Sequence, residues 1–160
     1  MTQSGFNSRR AWEDRWNTPG RDQLIEPIKM PAKRAVEHLL DDLAALEGVR
    51  TDMTYFGPGW KWSFQFTLHD EDGRPVDVLA YVVPNPEGPL ACIPLTDEVM
   101  QNLPQRKLPR SIKEGLKSAK RAVATHWASW SINNSTDYKA VMELVEHKIR
   151  LTREQFQLAV

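Results

Sequence analysis

A hairpin signature across residues 57–83 constrains this chain more than any other feature. Gly57-Pro58-Gly59 precedes Trp60-Lys61-Trp62-Ser63-Phe64-Gln65-Phe66-Thr67-Leu68, in which large apolar residues alternate with polar ones. A two-residue period marks a strand with one buried face, because successive side chains point to opposite sides of a sheet. Asp70-Glu71-Asp72-Gly73-Arg74 supplies the turn, and an apolar run resumes from Val76 to Val83. The two runs are expected to pair as an antiparallel hairpin. On this reading one face carries Trp60, Trp62, Phe64 and Phe66. A helix, a ligand or a partner has to cover that much aromatic surface.

The flanking segments supply candidates for the cover. Pro31 and Gly48 bracket a helix with Val36, Leu39, Leu40, Leu43 and Leu46 on one side. Residues 51–56 form a short strand ahead of the hairpin. Pro84-Asn85-Pro86-Glu87-Gly88-Pro89 is a turn, and residues 90–95 form another strand, with Pro94 marking an edge or an end. Thr96 caps a short helix beginning Asp97-Glu98 and ending near Pro104. A helix after Pro109 is expected to bury Ile112, Leu116, Ala119 and Val123. Residues 126–133 read as a strand. Ser135 or Thr136 caps a last helix that buries Tyr138, Val141, Met142, Val145 and Ile149. This order, without βαβ alternation, predicts an α+β fold: an antiparallel sheet with helices packed on one face, in two layers.

At 160 residues the chain reads as one domain at 29–160 behind an N-terminal arm at 1–28. Residues 1–7 are polar and expected to be disordered. Trp12 and Trp16 share a face if residues 12–16 make a helical turn. They are expected to pack the arm onto the domain; a homodimer contact is the competing arrangement. Formal net charge is zero, so bulk electrostatics point neither to nucleic acid nor to an anionic membrane. No apolar run approaches the roughly 20 residues needed to span a bilayer. The N-terminus lacks the apolar core of a secretory signal, and Cys92 is the single cysteine, so a cytoplasmic setting is expected.

No catalytic constellation emerges, so a non-enzymatic domain without a cofactor is expected. Among His38, His69, His126 and His147 no pair has metal-ligand spacing. His69-Asp70-Glu71-Asp72 is the densest group of ligand types, and reads as a solvated turn. Arg110, Lys113, Lys117, Lys120 and Arg121 form a basic stripe if one helix carries them, extended by Arg106 and Lys107. Without interleaved aromatics the stripe reads as a solvated face, with an anion or nucleic-acid footprint as the weaker alternative. Cys92 sits among apolar neighbours and reads as a structural thiol. The aromatic set remains. Trp60, Trp62, Phe64, Tyr81, Trp127 and Trp130 come from strands of one sheet. They are either core or the wall of a pocket for an unknown small molecule or protein partner.

Three further segments accompany the hairpin at Gly59-Trp60 to Leu68: the helix over 111–123, the strand over 127–132, and the closing helix over 137–151 with Lys148-Ile149. Together they resemble the bacterial YdhG-like superfamily over a little over half of the chain. The resemblance implies a small α+β domain. Some members are similar in shape to frataxin and are associated with intracellular iron delivery. For this chain that implies a carboxylate ridge of Glu37, Asp41 and Asp42, with Glu47 beyond it, as a metal site.

Overall fold

The computed structural model describes residues 10–158, so the expectation of disorder over residues 1–7 falls outside the described residues. The helices are α1 (Arg21–Ile25), α2 (Ala32–Ala45), α3 (Asp97–Asn102), α4 (Arg110–Lys117) and α5 (Ser135–Leu158). The strands are β1 (Val49–Tyr55), β2 (Trp62–His69), β3 (Pro75–Val83), β4 (Leu90–Thr96), β5 (Lys120–Ala122) and β6 (Thr125–Ser131). They form one sheet in the order β1-β2-β3-β4-β6-β5, with every pair antiparallel. The fold is therefore α+β, and helices α2 and α5 lie side by side over one sheet face.

The covered face follows from the alternation in β2. Trp62, Phe64, Phe66 and Leu68 point to it and are buried. From α2 they meet Val36, Leu39, Leu40 and Leu43, and from α5 Val141, Leu144 and Val145, in one continuous core. Trp12, Leu24, Ile25 and Ile28 of the N-terminal segment belong to the same core. Trp12 and Trp16 do not share a helical face, because residues 11–17 form turns, not a helix. Trp12 packs inward, whereas Trp16 is exposed and holds Arg15 against its ring.

Three further expectations change. The helix after Pro109 ends at Lys117, and a tight hairpin follows from β5 to β6. Its turn residues Val123 and Ala124 have φ of 48° and 62°, and Val123 is exposed, not buried. The strand with Pro94 is interior, pairing β3 on one side and β6 on the other. Its tolerance of proline comes from a fork in the sheet. The β3–β4 ladder runs from Val83–Leu90 to Tyr81–Cys92 and stops. At Pro94 the strands have parted, so no N–H is required there.

Lys148 of α5 fills the fork. Its side chain is fully buried, and its Nζ donates to the carbonyl oxygens of Val78 (2.5 Å), Leu79 (3.3 Å) and Pro94. Leu79 is the extra residue of a β-bulge, which lies between the pairs Phe66–Ala80 and Thr67–Val78. The ammonium thus satisfies carbonyls that the interrupted ladder leaves without strand partners. Asp77 Oδ2 lies 3.7 Å from Nζ. Burial pulls the lysine down to about 8 despite the attraction of Asp77.

Candidate aromatic cavity on the open sheet face

Cross-strand partners share a face, so the register sorts the aromatic residues. One row reads Phe64–Val82–Ala91–Trp130 and lies on the covered side. The adjacent row reads Gln65–Tyr81–Cys92–Ser129 and lies on the opposite, open side. Trp127, two residues from Ser129, shares that open side. Of the six aromatic residues singled out from the sequence, Trp62, Phe64 and Trp130 are therefore core. Trp60, Tyr81 and Trp127 come together on the open face.

Trp60 parts from Trp62 because the strand begins at Trp62. Lys61 adopts left-handed backbone (φ 54°), which breaks the two-residue alternation. The turn is held by Lys61 N donating to Gly57 O (2.7 Å) and Phe56 N donating to Lys61 O (2.8 Å). The N-terminal segment braces it from behind. Trp12 Nε1 donates to Trp60 O (3.0 Å), Trp62 Nε1 donates to Asp14 O (2.7 Å), and Lys61 Nζ lies 4.6 Å above the Trp12 ring.

The resulting cluster is continuous. The Tyr81 ring lies 5.0 Å from Trp60, 6.2 Å from Trp127 and 5.5 Å edge-on from Phe56, centroid to centroid. Beside it opens a cavity of about 420 Å³ lined by Trp60, Leu90, Cys92, Gly115, Ser118, Lys120, Trp127 and Ser129. Gly115 brings α4 to the cavity: a Cβ there would overlap the Trp130 indole. That indole donates from Nε1 to Ser111 O (3.0 Å), pinning α4 to the sheet. Lys120 faces Trp127 directly in the β5–β6 ladder. A smaller cavity of about 180 Å³ lies by Ser111, Trp130 and Asp137.

Two acidic groups at the cavity are shifted upward. Burial pushes the Cys92 thiol up to about 11, although the Lys148 charge lowers it. Burial also raises the Tyr81 phenol, with the Cys92 and Asp77 charges adding to the shift. Both groups keep their protons near neutral pH, so Cys92 is no ready nucleophile. Lys120 is exposed and has no ion-pair partner among the described residues.

The other candidate groups are dispersed. Asp41 pairs with Arg21 at 2.9 Å, and Asp41 and Asp42 are exposed while Glu37 is half-buried. Among the described residues no group of three or more His, Cys, Asp or Glu side chains is placed to hold a metal ion. Asp70 Oδ1 accepts from the N–H groups of Asp72 and Arg74, each at 2.9 Å, and so closes the β2–β3 turn. The basic stripe is divided: Arg110, Lys113 and Lys117 are on α4, whereas Lys120 and Arg121 are on β5. Arg121 grips Asp97 through two hydrogen bonds (2.9 and 2.7 Å), and His126 Nε2 approaches Asp97 Oδ1 at 2.7 Å. These contacts, Arg121 first and His126 second, hold the Asp97 carboxyl well below the usual carboxylate range. Phe56 and Lys120 complete the cavity region without having been singled out for it from the sequence.

No protein-family model, curated protein or solved structure gives a significant match to the chain. Among the described residues, no helix is long and apolar enough to cross a membrane.

Proposed function

We propose that this protein is a non-catalytic domain that binds a small organic molecule in the aromatic cavity on the open face of its sheet. One observation carries the reading. Trp60 and Trp127 stand on the sheet face opposite helices α2 and α5, beside a cavity of about 420 Å³ that α4 borders through Gly115. That volume falls in the range of small-molecule sites, and such sites pair apolar walls with a few polar groups. Here the polar groups are Ser118, Ser129 and Lys120. Core aromatics do not need this arrangement, since the covered face already buries Trp62, Phe64 and Phe66. Membership of the YdhG-like superfamily and a cytoplasmic setting belong to the same proposal. The sequence pattern over residues 59–151 supports the first, and the single unpaired cysteine the second.

Native mass spectrometry tests the binding role on protein isolated without chelator and without a metal-affinity step. The expected result is an organic mass on the wild type that is lost from the Trp60→Ala/Trp127→Ala double variant. An adduct retained equally by the double variant overturns the site. A bare mass for the wild type removes a tightly held ligand and redirects attention to a protein partner. An iron increment lost in Asp41→Asn/Asp42→Asn redirects it to iron carriage.

A further inference from the structure

We infer that the ligand of the open-face cavity is a planar aromatic acid, its ring set against Trp60 and Trp127 and its anionic group on Lys120. The inference rests on the binding role proposed above and narrows it by chemistry.

Shape comes from the aromatic walls. Trp60 and Trp127 both line the cavity, and Tyr81 lies between them at 5.0 and 6.2 Å. A flat ring gains most from such walls, by offset stacking and by displacing water from apolar surface. A cationic ligand suits them less. The lining includes no carboxylate to balance a positive charge.

Charge comes from Lys120. It is the one charged residue in the lining, it is directly opposite Trp127 in the ladder, and no acid among the described residues pairs with it. An anion held there gains a charge-assisted hydrogen bond without first breaking an ion pair. The Ser118 and Ser129 hydroxyls have no hydrogen-bond partner among the described residues and supply further donors. The C-terminal end of α4 does not oppose this. Its Glu114 and Leu116 carbonyls already accept from the backbone N–H groups of Ser118 and Ala119.

The test compares 2-naphthoate with 2-naphthamide, which share a ring system and differ in charge, by calorimetry on the full chain. The wild type should bind naphthoate about tenfold more tightly than naphthamide, the worth of one charge-assisted contact at a partly solvated site. Lys120→Met should abolish that preference while leaving naphthamide binding intact, and Lys120→Arg should restore it. Lys120 is exposed on a three-residue strand, so these variants should fold. Equal affinities in the wild type, or a preference that survives Lys120→Met, would overturn the acid and leave the aromatic cavity standing. Failure of both probes to bind, or binding of both unchanged by Trp127→Ala, would overturn the cavity itself.

Discussion

The two faces of this sheet use the same aromatic residue types for opposite ends. On the covered face Phe66 is completely buried, and its neighbours Phe64 and Trp62 are 5% and 7% exposed. On the open face Trp127 is 38% exposed although it stands in an interior strand. A lysine accompanies each face as well. Lys148 is sealed beneath the helices with three carbonyls around its ammonium, whereas Lys120 lies in water beside Trp127 with no counter-ion among the described residues. The contrast teaches that residue type does not decide between core and site. Position relative to the helical layer does. Aromatic area buried beneath that layer stabilises the fold; aromatic area outside it stays partly in water.

The largest expected difference is in stability. Phe66→Ala should lower the unfolding free energy by about 3–5 kcal/mol, because it opens a cavity in a fully buried site. Trp127→Ala should cost far less, about 1 kcal/mol, since 38% of the residue is already in water. Urea titrations followed by circular dichroism measure both. Similar losses in the two variants would break the comparison and make the open-face cluster a second core.

The lysines offer a smaller contrast, and one that depends on pH. An unfolded lysine titrates near 10.5 and Lys148 in the folded chain at about 8. Below about pH 8 both states hold the proton, and the fold bears the whole cost of the buried charge. Between the two values the unfolded chain binds more protons than the folded one, so stability rises with pH. Lys148→Met lacks this titration. The wild type should therefore gain about 3 kcal/mol on Lys148→Met between pH 7.5 and 10.5. Parallel stability curves for the two proteins would show that the three carbonyls offset the burial and keep the ammonium near its ordinary value. Lys120→Met, a change at an exposed side chain, should cost under about 0.5 kcal/mol at pH 7.5 and alter binding alone.

Much of the scaffold was legible because its signals are local. The β2–β3 turn, the stripe of leucines in α2 and the Thr96 cap each act within a few residues, and each produces the element expected of it. The Thr96 hydroxyl, for instance, accepts from the Val99 N–H at 3.2 Å. The site was harder to read because it depends on events that break local rules. Trp60 continues the alternation of Trp62 and Phe64 in the sequence, but left-handed backbone at Lys61, a residue with no special tolerance for it, turns Trp60 to the other side. Ala119 and Val123 extend the helical spacing of Ile112 and Leu116, yet the chain turns at Val123-Ala124 without the Gly or Asn that normally announces a hairpin. The helix stops at Lys117, and that turn sets Lys120 against Trp127. Lys148 did leave a trace, standing at core spacing after Val141, Leu144 and Val145. Its partners come from two strands far away in sequence, and Pro94 gives no hint that a fork lies beside it.

The smallest effect separates the faces without unfolding anything. Cys92 is on the open side and lines the cavity with Trp60 and Trp127, but is only 4% exposed. Its thiol is raised from 9.0 to about 11, so at neutral pH its thiolate population is about a hundredfold below that of an unshifted cysteine. Iodoacetamide should accordingly label native protein at pH 7.5 at least about a hundredfold more slowly than protein in concentrated urea. Trp127→Ala admits water over Cys92, which removes part of the burial that raises the thiol. Labelling should then accelerate severalfold while the urea midpoint barely moves. Phe64→Ala, one residue row away on the covered side, should instead lower the urea midpoint, and any faster labelling should follow from global opening. If Trp127→Ala accelerates labelling only in proportion to its loss of stability, Trp127 is packed as core. If it accelerates labelling at constant stability, the open face is a local lid over an accessible floor, as a ligand site requires and a hydrophobic core does not.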